Sequence, residues 1–358
     1  MRNLDHKNSE QGFSLLELLV AVTLMIVITG AMFALMRDSV KSSHATLEMS
    51  DGQQSLRTGQ EYINRDLINA GDGLNSINNI RVPQGFVTNY LTLNPVTDPS
   101  MPGFVNLGLI TSDNNVPANT LVLGTAPVVQ VRSAPDLTDR ISILQVDRNF
   151  VPITLAAGAI NPTNGLTAVS DTDIGQFSVG EIYFISSAVG SIFATITDRQ
   201  GVGTPNPFLV FAAGDILGLN SVGAGGQLDV ITAGGTLPTS ISRMKIIHYY
   251  INSNGLLMRR VFGVKGAGFA ESPIAEHVVS LQFRYFLNLR DANGNVVQPE
   301  AQLTTSQQQV ETRQVEVSLT VETPHTLQDG QRRQISMTTS TSVRNMQFRQ
   351  SLQPTAGG

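Results

Sequence analysis

The chain has no cysteine, little charge, and no proline in its first 82 residues. The missing cysteine excludes disulfides, thiolate metal sites and cysteine nucleophiles. Only 14% of the 358 residues are Asp, Glu, Lys or Arg, against about 25% in typical soluble domains. The surface must therefore be built from Thr, Ser, Asn, Gln and Gly. A net charge of −5 carries no general basic character that would suit nucleic acid. With no proline before Pro83, nothing kinks or stops a helix near the N-terminus.

What is present is length and apolar material. A chain of 358 residues with 41% hydrophobic content has room for a long helix plus one large or two modest globular units. Leu18 to Met36 is a run of 19 residues without a charge, about 28 Å of helix, close to the ~30 Å hydrocarbon core of a bilayer. It is longer than a secretory signal's apolar run and leads straight into Arg37-Asp38.

Glu17 sits just inside this run, where an ionisable residue is costly and usually has a partner. Upstream, Gly12 offers a side-chain-free peptide bond to a protease working at the membrane face. Cleavage there would create a new amino group on Phe13, four residues from Glu17.

The sequence Gly12-Phe13-Ser14-Leu15-Leu16-Glu17, with a short polar leader before it and an apolar helix after it, resembles the start of type IV prepilins. The resemblance implies a leader, residues 1–12, removed by a prepilin peptidase at Gly12-Phe13, and N-methylation of Phe13. It also implies subunit assembly in which Glu17 is neutralised by a neighbour's terminal amine. One departure is Gln11, where a basic residue is common. The implied partners are other major and minor pilins, the peptidase and an inner-membrane assembly platform. The implied location is the inner membrane as a single-pass chain with an extracytoplasmic head, and then the pilus.

Residues 13–36 are thus expected to be the transmembrane part of one helix, and 37–72 its amphipathic continuation. Met49, Leu56, Ile63 and Ala70, joined by Leu67, mark the buried stripe. Gly52 and Gly59 weaken that helix, and Gly71-Asp72-Gly73 reads as its cap.

Short β-branched and aromatic runs broken by Gly, Pro, Asn and Asp follow, the pattern of antiparallel sheet. One hairpin is expected around Ala188-Val189-Gly190. A second joins Met244–Ile251 to Leu256–Phe262 through a tight primed turn at Asn254-Gly255. Alternation at Val315, Val317, Leu319 and Val321 marks a strand paired with residues 333–343. The fold class is α+β, a long N-terminal helix packed on a β-rich antiparallel head as in pilins.

Charge divides the head. Residues 82–242 carry 4 Arg/Lys against 11 Asp/Glu, and 243–358 carry 12 against 8. With the glycine-rich stretch Gly223–Gly235, this suggests a β-rich middle insertion at 82–242, a C-terminal sheet at 243–349 and a disordered tail at 350–358. The segments Asn64–Gly71, Phe177–Thr197 and Thr338–Asn345 resemble the PilW group of minor pilins, which implies a subunit that helps initiate or cap a type IV pilus. A J-type pseudopilin of type II secretion and a pilus-tip adhesin are the alternatives.

No metal, cofactor or enzyme reading stands out. None of His6, His44, His248, His277 and His325 forms a close ligand pair. No nucleophile motif occurs. Asp291-Ala292-Asn293-Gly294-Asn295 departs from a calcium loop and reads as a turn, and Asp171 and Asp173 read as a solvated loop. Arg259-Arg260, Arg332-Arg333, Arg344 and Arg349 are expected to be solvated or salt-bridged rather than a DNA-binding patch. Tyr249-Tyr250 and Phe283, Tyr285 and Phe286 are expected in sheet core or edge.

Overall fold

The computed structural model describes residues 14–71, 74, 80–91, 95, 101–116, 121–123, 126–128, 137–252, 254–290, 294–296, 298–326 and 330–343. Gly12, Phe13, Asp72-Gly73, Asp291–Asn293, Arg344-Asn345, Arg349 and the 350–358 tail, all named above, lie outside the described residues.

One helix, α1 (Leu15–Ile68), runs unbroken for 54 residues, some 80 Å. The head follows as β1 (Ile80–Pro83), α2 (Gln84–Tyr90), β2 (Phe104–Leu107), β3 (Ile110–Val116), β4 (Leu121–Leu123), β5 (Ala126–Val128) and β6 (Thr138–Val146). Next come β7 (Ile153–Leu155), β8 (Leu166–Ala168), α3 (Asp171–Ile174), β9 (Ile182–Ser187), β10 (Gly190–Thr195), β11 (Asp198–Gln200), β12 (Phe208–Val210) and α4 (Gln227–Thr232). The last third holds β13 (Thr239–Ile251), β14 (Leu257–Val264), β15 (Gly268–Ala275), β16 (Val278–Leu287), α5 (Ser306–Glu311), β17 (Thr312–Glu322) and β18 (Gln334–Ser342). The α+β expectation holds: a long apolar helix precedes an antiparallel-rich head.

The head is built around β13. Its first residues pair with β7 and β9, and its later ones with β6 and β14. It is the trunk of a ten-stranded sheet running β15-β14-β13-β9-β10-β1-β2, with β3, β6 and β7 attached beside it. The boundary expected between 242 and 243 falls inside this strand. A charge change there marks no break in the chain, because hydrogen bonding to four neighbours carries the sheet across it. β16, β17 and β18 form a separate three-stranded sheet.

Among the described residues two large apolar cores form beside a small cluster of Val116 and Tyr250. The larger joins α1, the C-terminal sheet and the near face of the large sheet; the smaller is drawn from Phe150 to Ile241. Gly223–Gly235, read as support for that boundary, encloses α4, whose Leu228 and Ile231 enter the smaller core. The hairpin at Ala188-Val189 forms between β9 and β10. The β13–β14 hairpin also forms, but not through a primed turn. Of Asn254-Gly255 only Gly255 has positive φ, while the Asn252 side chain accepts hydrogen bonds from the Asn254 and Leu256 amides. A primed turn of that type needs positive φ at both central residues, and the Asn252 carbonyl oxygen here supports a wider loop.

Candidate assembly and processing site

At the start of α1, Ser14 is the N-cap. Its Oγ accepts from the Leu16 amide at 3.2 Å, and its own amide donates to Glu17 Oε2 at 3.1 Å. This is a reciprocal capping box, in which two amides with no intrahelical partner are satisfied by side chains. The carboxylate also lies in the first turn, where the helix dipole favours negative charge. Ser14-x-x-Glu17 spells the capping-box pattern, so this role of Glu17 is legible in the sequence and stands beside the partner from outside that its place at the apolar stretch suggests.

From Leu15 to Met36 every residue is exposed, and no residue of the most apolar stretch is buried. Leu18, Met25, Met32 and Phe33 stand 61–70% exposed. A surface this apolar signals membrane or helix–helix contact. Full burial in α1 begins only at Leu56, and 37–47 is a largely exposed spacer of roughly 16 Å that ends where Glu48, 20% exposed, meets His325 of the head. The stripe named from spacing is otherwise right: Leu56, Ile63, Leu67 and Ala70 are fully buried, while Met49 is 38% exposed.

The head end of α1 is locked to both sheets. The Asp66 carboxylate accepts from Tyr249 Oη at 2.5 Å and Arg259 Nε at 2.7 Å, and its backbone oxygen accepts from Gln145 Nε2. Burial and the neighbouring Asp66 carboxylate push the Tyr249 hydroxyl well above its ordinary range. Gln60 Nε2 donates to the Met337 oxygen, and Asn64 bonds Thr339 and Thr341. Charge-assisted bonds of this kind are roughly twice as strong as neutral ones.

Gly52 and Gly59, read above as weak points, face the sheets. A Cβ on Gly59 would lie 2.9 Å from Leu319, 3.1 Å from Leu257 and 3.4 Å from Ala275. The missing side chain lets the helix axis approach three strands at once, a packing role that single-sequence propensity does not register.

The remaining candidates are structural. Arg259, Arg260 and Arg332 are paired with Asp66, Glu271 and Glu322. Tyr249, Tyr250, Phe283 and Tyr285 are buried in the head. Asp171 and Asp173 lie in the first turn of α3, capped by Ser170. His248 is buried with Nδ1 2.7 Å from Ser142 Oγ, and burial, then Arg140 and Arg260, hold it well below the ordinary imidazole range. His325 lies 2.9 Å from Glu48, and His44 is exposed on α1. Among the described residues no group of three His, Asp or Glu side chains is placed to hold a metal.

Residues 7–33 match the family model of the prokaryotic N-terminal methylation motif. The matched segment contains the capping box and most of the exposed apolar stretch, and it supports a type IV pilin-like or pseudopilin-type protein, a class of structural rather than enzymatic chains. The motif and the apolar helix together imply membrane anchoring and interaction with pilin-type assembly machinery. No curated protein matches the chain significantly.

Proposed function

We propose that this chain is a minor pilin of the PilW kind, cut between Gly12 and Phe13 by a prepilin peptidase, methylated on Phe13, and built into a type IV pilus as an initiating or capping subunit. The observation that carries the reading is the methylation motif lying on a helix whose apolar surface no described residue of the head covers. In this reading residues 18–36 cross the inner membrane. The polar spacer holds the head clear of it on the extracytoplasmic side, and assembly moves the helix from lipid to the bundle of neighbouring helices.

Glu17 divides its two oxygens. Oε2 accepts from its own Ser14 amide, leaving Oε1 for the terminal amine of an adjacent subunit, which sets axial register. The unbroken, proline-free helix suits a minor subunit and equally a J-type pseudopilin. The test is co-production of the full chain with a prepilin peptidase, followed by mass spectrometry of its N-terminus. The reading requires a chain starting at methylated Phe13. An intact Met1, or a cut elsewhere, overturns it.

A further inference from the structure

The free edge of β18 is an exposed backbone template. Among the described residues β18 pairs only with β17. Val343 N–H donates to the Arg313 oxygen and Thr323 N–H to the Arg333 oxygen, each at 2.9 Å. Alternation along an antiparallel ladder then turns the backbone groups of Ile335, Met337, Thr339 and Thr341 toward β17 and those of Ser336, Thr338 and Ser340 outward. All three outward residues are exposed.

Natural sheets blunt such edges with charge, proline, bulges or shortness. Among the described residues the other edges of this head are blunted. β15 carries Pro273 and two register shifts, β2 is four residues long, β16 has two register shifts and a cross-bridge to Glu300, and β11 is three residues with Asp198 and Arg199. β3 carries Asp113 and a register shift, and β4, β5, β7 and β8 have three residues each. β18 has nine residues and none of these devices. Beneath its edge runs a groove lined by Arg57, Gln60, Glu61, Asn64, Arg65 and Met337.

We infer that β18 accepts an added strand from a different pilin-like subunit, an inference that rests on the assembly reading above. The direction of α1 decides against a second copy. Gly52 lies by Ile335, Gln60 by Met337, and Asn64 by Thr339 and Thr341. Twelve helical residues, about 18 Å, thus follow six strand residues, about 20 Å, in the same direction. Antiparallel pairing of two β18 edges needs a twofold axis across the sheet, which would invert one α1, and two inverted helices cannot enter one membrane from the same side. Parallel self-pairing would place the second α1 on the opposite face of the shared sheet. At roughly 10 Å per packed layer the helices would stand some 20 Å apart, beyond the 8–10 Å at which helices pack.

A neighbour that packs along α1, by contrast, reaches the groove at Arg57–Arg65 and then the edge beside it. Its strand would be uncharged, with Ser or Thr directed outward beside Ser336, Thr338 and Ser340, since hydroxyl pairs are favourable across strands, and backbone bonds would supply most of the contact.

The experiment places a photo-crosslinking benzophenone residue at 340 in the full chain, in membranes of cells making the complete set of pilin-like subunits, with a second probe at position 25 on the apolar helix. The expected adduct from 340 joins this chain to a different one that carries its own methylation motif by peptide mass. It falls at least tenfold with Thr338→Pro, which removes the outward N–H together with the hydroxyl that bonds Ser318, and with Thr338→Lys, which keeps that N–H but places a charge on the edge. Circular dichroism confirms that these variants fold. An adduct between two copies, an adduct indifferent to both variants, or none from 340 while 25 captures a neighbour overturns the added strand and leaves the assembly reading standing. No adduct from either position overturns both.

Discussion

Adding one methyl group to Gly59 separates helix propensity from packing. Alanine at an exposed interior helix position is favoured over glycine by about 1 kcal/mol. At Gly59 the new Cβ meets Leu319 Cδ2 at 2.9 Å and Leu257 Cδ2 at 3.1 Å, both on fully buried side chains, with Ala275 Cβ behind them at 3.4 Å. Neither leucine can swing into solvent, so the strands must shift, and overpacking of this sort costs about 1–3 kcal/mol. The net expectation for Gly59→Ala, packing cost less propensity gain, is a loss of up to about 2 kcal/mol, or up to ~4 °C in Tm at the ~2 °C per kcal/mol expected of a large domain. Gly52 is the internal control. Its Cβ would lie 3.3 Å from Val321 and 3.6 Å from Ile335 at a half-buried position, so propensity should win, and Gly52→Ala should be neutral or up to about 1 kcal/mol more stable. Urea unfolding of the full chain in a mild detergent, followed by circular dichroism, reads both. If Gly59→Ala is more stable than the parent, or if Gly52→Ala is the worse of the two, close approach of α1 to the sheets is not what holds the helix on the head.

Glu17→Ala should leave cleavage after Gly12 intact while lowering recovery of the chain in sheared filaments at least tenfold; normal incorporation would remove the register role. Asp66→Ala strips the buried partner of Arg259 and Tyr249 and should cost about 2–4 kcal/mol, discounted from the 3–5 of a fully buried pair because Arg259 is 19% exposed; a loss under 1 kcal/mol by urea titration would contradict it. Asp139, raised to about 6 chiefly by burial, binds its proton more tightly folded than unfolded. Its contribution is therefore full below about pH 4 and lost as pH rises through 6, by up to about 3 kcal/mol. Asp139→Asn should abolish that part of the pH dependence. His248, held neutral by burial, acts with opposite sign, its contribution full above about pH 6.5 and lost on acidification, so His248→Gln should flatten the acid side. Melting curves from pH 4 to 8 for parent and both variants check the two slopes.

Local signals were enough for the N-terminal segment because each acts over a few residues. An uncharged run of bilayer length, a glycine before Phe13 and a carboxylate at Glu17 need no tertiary context, and Ser14-x-x-Glu17 already encoded the cap that closes the helix start. The period-2 pattern at Val315–Val321 and the heptad from Leu56 to Ala70 likewise named the surfaces that are buried. Long-range pairing was beyond the reach of pattern. β13 crosses an apparent boundary because four strands distant in sequence bond to it. Asp66 reads as one polar residue among several on a helix until Tyr249 and Arg259 arrive beside it. Gly59 reads as a flaw until three strands are brought against it. The apolar helical segment of membrane-spanning length was thus determined by the sequence alone, through hydrophobicity and helix-end chemistry. How the head grips that helix, and which sheet edge it leaves open, was decided only by the tertiary structure, because those contacts join residues up to 277 positions apart.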